Sequence, residues 1–444
     1  VLQSRGLGDV YKRQMLDIYL FREKHEIIRA DHDKRGLPHD KIDQVIHFDK
    51  LWLSLQHQTN QLRQKKNTAA KGISEAKKAG DEAKAKAILS EVASLGKEIS
   101  ELEQQTEEAL GQRDTIRMSI PNILHDAVPQ GADESGNTVH STYGEKPQFD
   151  FEPRTHNELI TMNKWVDLKR AAKISGSRFY FLKGDLARLE LALQTYAVDF
   201  IRQRGYTFVQ PPVMMNRQAY EGVTDLGDFE TVMYGVEPDK YYMIATSEHP
   251  LTSMYMGETI PEEQLPLKVV GVSPCFRREV GSHGQSDLGI WRVHQFTKVE
   301  QIVIAKPEDS WELHEELLQN CIDLWNELEL HYEVVNICTG DMGTVAARKY
   351  DIEAWLPGAA QYKEVVSCSN CTDYQANRLQ IKYGQPGHSN QPIVHTLNST
   401  AVATSRALVA IMEQNQLADG SVRIPEVLIP LMGGQATLEP CNWG

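Results

Sequence analysis

At 444 residues, with 41% hydrophobic and 24% charged side chains, the chain can bury the cores of two or three domains. Its formal charge of −14 excludes indiscriminate coating of nucleic acid, because the overall field repels phosphate, yet it leaves room for a local basic element. No apolar run approaches the ~18–20 residues that span a bilayer, and the opening VLQSRGLGDVYKRQ lacks the apolar core of a secretion signal.

Residues 48–120 hold almost no glycine or proline and are rich in Ala, Leu, Glu, Gln and Lys, which lose little entropy in a helix. Leu51, Leu55, Leu62 and then Ile88, Val92, Leu95, Ile99 and Leu102 recur at three- and four-residue steps, the seam of a coiled coil. AKKAGDEAK offers a turn at Gly80 and Asp81, so the pattern fits two antiparallel helices, with a continuous rod as the alternative. Residues 61–86 concentrate Arg63, Lys65, Lys66, Lys71, Lys77, Lys78, Lys84 and Lys86 against Glu75, Asp81 and Glu82. The return helix turns acidic from Glu91 to Glu108. This is either a solvated helical surface or an arm whose distal part meets phosphate without a basic body behind it.

SIPNILHDAVPQGADESGN, residues 119–137, reads as a loop at a domain boundary. Residues 157–204 read as mainly helical. From 205 onward short β-branched and aromatic runs alternate with helices without a long crossover after every strand, which predicts an antiparallel-rich body and not a repeating barrel. No Walker loop and no GxGxxG occur, so any nucleotide is bound by another scheme. The six cysteines are too scattered for a disulfide framework, which suits a reducing compartment. The CSNC pair Cys368 and Cys371 lacks the second pair that a zinc site needs.

The richest segment is GVSPCFRREVGSHGQSDLGIWRVHQFTKVEQIVIA, residues 271–305. Strand alternation puts Arg292, His294, Phe296, Lys298 and Glu300 on one face, while Arg277 and Glu279 share a face in the first half. If the two halves are antiparallel neighbours, they form one floor with arginines for phosphate or carboxylate, a ring for a flat base and glutamates for an amine. A solvated hairpin edge would explain the charges but not the phenylalanine among them.

Six ordered blocks carry a resemblance. MLDIYLFREKHEIIRADHDKRG from Met15, TSEHPLTSMY from Thr246, FRREVG and RVHQFTKVE, GDMGTVAARKYDIEAWLPG, YKEVVSCSNCTDYQANRL, and TLNSTAVATSRALVAIMEQNQLADGSVRIPEVL are similar to successive blocks of the seryl-tRNA synthetase family. Among them are motifs 2 and 3 of the class II aminoacyl-tRNA synthetases. The similarity runs from Met15 to about Gly434. TLNSTAVATSR and CTDYQ are nearer to archaeal and eukaryotic forms than to bacterial ones.

The resemblance implies an α+β fold: a class II synthetase antiparallel β-sheet flanked by helices, with an N-terminal antiparallel α-helical coiled-coil arm. It divides the chain into a leader of 1–14 appended to the fold, a tRNA-binding domain of 15–120, a linker and start of the body at 121–156, and a catalytic domain of 157–444. It implies ATP-dependent activation of L-serine to seryl-adenylate and transfer to tRNA(Ser), and to tRNA(Sec) where the host has one. Mg2+, a homodimer, a cytoplasmic setting, and no membrane or DNA partner complete the expectation.

By the same resemblance Arg277 bridges the serine carboxylate and the α-phosphate, and Glu279 accepts from the adenine amino group. Phe296 and Arg406 cover the two faces of the adenine, Arg406 also reaching the γ-phosphate, and Arg292 supports the distal phosphates. Glu364 and Ser367 are the implied Mg2+ pair. Thr246, Glu248 and Glu300 make an acidic pocket for the ammonium, and Asn398 and Thr400 read the serine side chain. Rejecting alanine requires hydrogen bonds to the hydroxyl. The basic residues from Arg63 to Lys86 become the tRNA-binding arm. His294 receives no catalytic role, because the carboxylate is already the nucleophile.

Two places depart from the family pattern. The motif 2 loop GSHGQSDLGIW lacks two arginines found in bacterial relatives, and Asn377 stands where an arginine is common. The competing function is a synthetase-like protein that serves a carrier or only binds. The basic hairpin, and the presence of Arg277, Glu279, Glu364 and Arg406, favour tRNA charging.

Overall fold

The computed structural model describes residues 16–224, 232–238, 240–279, 289–385, 387–388 and 391–443. The leader 1–14 and the part of the motif 2 loop that lacks the arginines lie outside the described residues. By contacts the chain forms two compact units, one ending at Ile120 and one beginning at Pro121.

The first unit contains helices α1 (Ile18–Glu23), α2 (His25–Arg35), α3 (Asp40–Lys78) and α4 (Glu82–Met118). The chain turns between α3 and α4 at Gly80, whose φ of +73° suits a residue without Cβ. Asp81 then caps α4 by accepting from the Lys84 N–H. Arg63 meets Glu103 at 2.7 Å and Asp49 meets Arg113 at 2.8 Å, so the helices run antiparallel and the rod is excluded.

The seam follows a strict alternation of three- and four-residue steps. On α3 it consists of Trp52, Leu55, Thr59, Leu62, Lys66, Ala69, Ile73 and Ala76, all buried or half-buried. On α4 it runs Ala85, Ile88, Val92, Leu95, Ile99, Leu102, Thr106 and Ala109. Every α4 position expected from the sequence lies on it. Leu51 does not: it is exposed, and Trp52 takes its place. Pairing with a second helix is what fixes so long an amphipathic pattern, since propensity alone leaves isolated helices marginal.

A buried ionic knot closes the base of the hairpin. Arg22 donates twice to the Asp49 carboxylate, at 2.7 and 2.9 Å, and Arg113 donates at 2.8 Å. Burial alone would raise the Asp49 pKa, but the hydrogen bonds from Arg22 and Arg113 outweigh it and hold the carboxyl below its ordinary range.

The second unit is built on an eight-stranded sheet. Its strands are β1 (Thr138–Tyr143), β2 (Thr207–Val209), β3 (Leu267–Phe276), β4 (Gln295–Ala305), β5 (Tyr332–Asn336), β6 (Arg348–Leu356), β7 (Gln361–Asn370) and β8 (His395–Ala403). Their spatial order is β1-β5-β6-β7-β8-β4-β3-β2, antiparallel throughout except for the parallel edge pair β2–β3. The segment after the boundary loop thus supplies an edge strand. Helices α5 (Gly184–Arg202), α6 (Ser310–Glu327) and α7 (Thr404–Gln414) share the main core with the sheet. Leu186, Leu189, Leu193 and Ala197 make the buried stripe of α5, and Leu313, Leu317, Cys321 and Leu324 that of α6.

Alternation assigns the two faces of the central strands. Val299, Val303, Leu397 and Ala401 join the helix-side core, and Gln301 on the same face accepts from Asn320 at 2.9 Å. Phe296, Lys298, Glu300, Asn398 and Thr400 face a cleft on the other side. Two bulges alter this rule. On β7, Val366 pairs with Ile352 and Glu364 with Glu353, leaving Val365 unpaired. On β8, Ala401 is skipped in the same way between Val402 and Thr400. Residues three apart in a strand ordinarily face opposite sides; the β7 bulge lets Glu364 and Ser367 face the same cleft.

One expectation is corrected here. The strand begins at Gln295, and its ladder with β3 ends at the pair Gln295 and Phe276. Arg292 and His294 precede it, and Arg277 and Glu279 follow β3. Glu279 has a φ of +46°, so strand alternation does not orient it. The polar floor is continuous only from Phe296 to Glu300.

Candidate active site

The cleft encloses about 560 Å³ above the middle of the sheet. It gathers Thr246, Glu248, Arg277, Phe296, Glu300, Glu364, Ser367, Asn398, Thr400 and Arg406 from five separated segments. Glu279 and Arg292 are not among its lining residues.

One half is acidic and enclosed. The short helix Glu248–Thr252 follows Thr246, whose hydroxyl accepts from the Glu248 N–H at 3.2 Å. Ser247 binds it to the floor through Ser273 at 2.7 Å. The Glu248 carboxylate accepts from Gln375 at 2.8 Å, and Gln375 accepts in turn from Thr396 at 2.7 Å. Glu300, buried on β4, faces the Lys298 ammonium at 3.3 Å. Lys298 also donates to Thr246 at 3.4 Å. Burial and the neighbouring Glu300 carboxylate push Glu248 up to about 7. Burial also raises Glu300, against the pull of Lys298 and of a hydrogen bond from Thr400. His249 goes the other way, down to about 3, because it is buried beside Arg277 and Lys298. It stays neutral and packs edge-on against Tyr220.

The other half is cationic. Arg277 donates to the Ala245 carbonyl at 3.2 Å and lies 5.3 Å from the Phe296 ring centre. Arg406, in the first turn of α7, donates to the Glu364 carbonyl at 2.9 Å and meets its carboxylate at 3.3 Å. Its guanidinium lies 5.4 Å from the Trp291 ring centre. Enclosure by the cleft would raise the Glu364 pKa, but Arg406, Lys349, Arg277 and Lys298 together hold it below the ordinary range. An ionised carboxylate among cations at the wall of a cleft has the perturbed environment typical of a functional group.

Glu279 and Arg292 meet each other at 3.4 Å at the ends of β3 and β4. The six cysteines are free thiols; Cys368 faces α6, whereas Cys371 opens on the cleft and accepts from Asn398 at 3.6 Å. Asn377 is buried and donates to Asp373 one turn away. Among the described residues no group of three or more His, Cys, Asp or Glu side chains is arranged to hold a metal. Glu364 and Ser367 offer two oxygens on one face, which fits a Mg2+ that completes its shell with phosphate and water.

Two cleft residues, and Gln375 behind them, carry no role in the sequence reading. Lys298 and Lys349 were signalled by alternation with Glu300 and within RKYDIEAW. Nothing local signals Gln375, which reaches Glu248 from across the fold. On the arm, Lys65, Lys71, Lys77, Lys78, Lys84 and Lys86 are exposed. Arg63 is paired with Glu103. Lys66 is not an outward charge: it lies half-buried on the seam beside Gly96.

Residues 15–124 match the seryl-tRNA synthetase N-terminal domain, and residues 234–415 match the tRNA synthetase class II core domain (G, H, P, S and T). A serine--tRNA ligase of Methanocella arvoryzae is 50% identical over 423 residues, which cover 95% of this chain and 99% of the relative. The crystal structure of the Pyrococcus horikoshii seryl-tRNA synthetase complexed with ATP is 43% identical, with a TM-score of 0.89 over 96% of this chain and 100% of that one. The cytoplasmic enzyme of Naegleria fowleri, in complex with AMP, is 36% identical, with a TM-score of 0.84 over 97% and 100% of the two chains. With both of its units matched and identity extending over nearly the whole length, the chain belongs to the seryl-tRNA synthetase family of class II aminoacyl-tRNA synthetases.

Proposed function

We propose that the cleft holds L-serine in its acidic half and the phosphates of ATP in its cationic half, with Arg277 between them. The chain is an enzyme, a class II serine--tRNA ligase, which activates serine with ATP and transfers it to tRNA(Ser). The observation that carries the division of the site is the meeting, in one cleft, of Glu248 and Glu300 with Arg277, Arg406 and Glu364.

The activation step joins two anions, so its barrier falls when both are neutralised and held in line. Arg277 takes the serine carboxylate and the α-phosphate. Glu248, Glu300 and Thr246 take the ammonium, and Asn398 and Thr400 face the hydroxyl. Phe296 offers a ring to the adenine, Arg406 covers it from α7 and reaches the distal phosphates with Arg292, and Glu279 accepts from the adenine amino group. Bound at Glu364 and Ser367, Mg2+ would add charge neutralisation on the phosphates. The exposed lysines Lys65, Lys71, Lys77, Lys78, Lys84 and Lys86 of the hairpin contact the tRNA backbone, which lets an acidic protein bind RNA locally. Arg63 adds to that charge while held by Glu103. The same arm serves tRNA(Sec), the working form is a homodimer, and the setting is cytoplasmic.

Aminoacylation with labelled serine beside threonine and alanine tests this reading. Serine-only, ATP-dependent charging is expected. Serine-dependent ATP–pyrophosphate exchange without charging would remove the tRNA role and move weight to a carrier substrate.

A further inference from the structure

The ladder between β3 and β4 ends at Gln295 and Phe276. Arg277 and Glu279, two residues assigned to the reactants, therefore stand past the ladder, where the Arg278 N–H between them donates to the Val232 carbonyl at 2.9 Å. Their carbonyls still need donors, and each receives one from a side chain. The Arg277 carbonyl accepts from the His294 ring at Nδ1, at 2.8 Å. The Glu279 carbonyl accepts from Arg178 Nη1 at 2.7 Å. The two donors are also tied to each other and back to the strand end. The His294 N–H donates to the Arg178 carbonyl, and the Arg277 N–H to the His294 carbonyl, both at 3.0 Å. Arg178 and Glu279 both have left-handed backbones, with φ of +63° and +46°. That conformation is unfavourable for residues with a Cβ and persists only where the surroundings impose it.

We propose that Arg178 and His294 are positioning residues for the activation reaction, forming a latch that grips the backbone of Arg277 and Glu279 and so aims both side chains. The inference rests on the reading of Glu279 as the adenine acceptor and of Arg277 as the bridge between carboxylate and phosphate. Arg178 acts through the Glu279 carbonyl, which it holds at 2.7 Å. His294, whose ring lies 5.2 Å from that of Phe179, holds its Nδ1 on a carbonyl and so works as a donor without proton transfer. A one-residue slip here would turn the Glu279 carboxylate away from Arg292, which now meets it at 3.4 Å.

Serine-dependent ATP–pyrophosphate exchange by the full chain tests the latch. Arg178→Ala is expected to raise the KM for ATP by about tenfold or more, as loss of a half-buried charged hydrogen bond does, and to leave the KM for serine within about twofold. Added methylguanidinium is expected to restore part of that loss, and Arg178→Lys to keep part of it. His294→Asn, whose amide NH2 takes the place of Nδ1, is expected to stay near wild type, while His294→Gln, which frees the carbonyl of the residue that bridges carboxylate and phosphate, raises the KM for ATP and for serine together; this pair serves if Arg178→Ala does not fold. Equal KM increases for ATP and serine in Arg178→Ala, or a folded Arg178→Ala with unchanged ATP kinetics, would overturn the proposal. So would loss of activity in His294→Asn equal to that in His294→Gln. Glu279→Gln separates the two readings: if it leaves ATP kinetics unchanged while Arg178→Ala raises the KM for ATP, the adenine assignment of Glu279 falls while the grip of Arg178 on its backbone stands.

Discussion

The arm and the cleft are built by opposite logics. In the arm the main contact joins two helices that a three-residue turn already places side by side, and one heptad seam runs without interruption from Trp52 to Ala76 and back from Ala85 to Ala109. In the cleft, adjacent side chains come from residues as far as 127 positions apart, such as Glu248 and Gln375, and they meet only because the sheet is complete. The arm tolerates a misfit such as Lys66 on its seam, since Gly96 on α4, having no Cβ, leaves room beside the ammonium. The cleft has no such slack, because its carboxylates and guanidiniums are each held by a named partner. Stability and chemistry are therefore separable between the two units.

That separation can be broken in measurable ways. Arg277→Ala should reduce the rate of serine-dependent ATP–pyrophosphate exchange by ~10²–10³-fold, as loss of a donor that meets developing charge does, with unchanged thermal unfolding of the arm. Asp49→Asn should do the reverse. With the buried knot opened, the N-terminal unit should lose ~3 kcal/mol in denaturant unfolding while exchange kinetics stay put. Asp49 contributes its stability above its unfolded-state pKa, and that contribution should fade as pH falls through the depressed folded value. Glu300→Gln should raise the KM for serine by ~10–100-fold and leave that for ATP nearly unchanged, a result that would tie this carboxylate to the ammonium.

A smaller effect is the pH dependence of serine use. Glu248 has its pKa raised from 4.5 to about 7, so below that value it meets the ammonium uncharged, and the KM for serine should rise as pH falls. The sign for stability is opposite. A raised acid favours the folded serine-free protein when protonated, and that advantage, complete below the unfolded value, disappears as pH rises through about 7. Glu248→Gln should flatten both profiles. The smallest effects belong to the arm: Lys77→Ala, Lys78→Ala and Lys84→Ala should each raise the KM for tRNA by ~2–3-fold, lower its salt slope by ~1, and leave activation untouched. Exchange kinetics that followed the lysine variants would dissolve the distinction between the units.

Much of the lining of the cleft is legible in the sequence. Strand alternation placed Phe296, Lys298 and Glu300 together because β4 is regular there, and the block order located Thr246, Glu248, Asn398, Thr400 and Arg406. Reasoning of that kind failed at Arg292, His294 and Glu279, where the ladder has ended and a left-handed backbone breaks the period of two. It also failed at Leu51, which fits a heptad drawn through leucines but not the seam that Trp52 occupies.

By itself the sequence determined whatever depends on short-range periodicity: the hairpin, its turn at Gly80, the basic distal stretch, the strand faces and the order of the family blocks. Only the tertiary structure decided which of those faces meet. The bulges at Val365 and Ala401, the reach of Gln375 to Glu248 and the grip of Arg178 on Glu279 leave no local signature. The physical reason is that a helix or a strand satisfies its own backbone by rule, whereas the groups where strands end or slip a register must find partners elsewhere, and those partners exist only once the chain has folded.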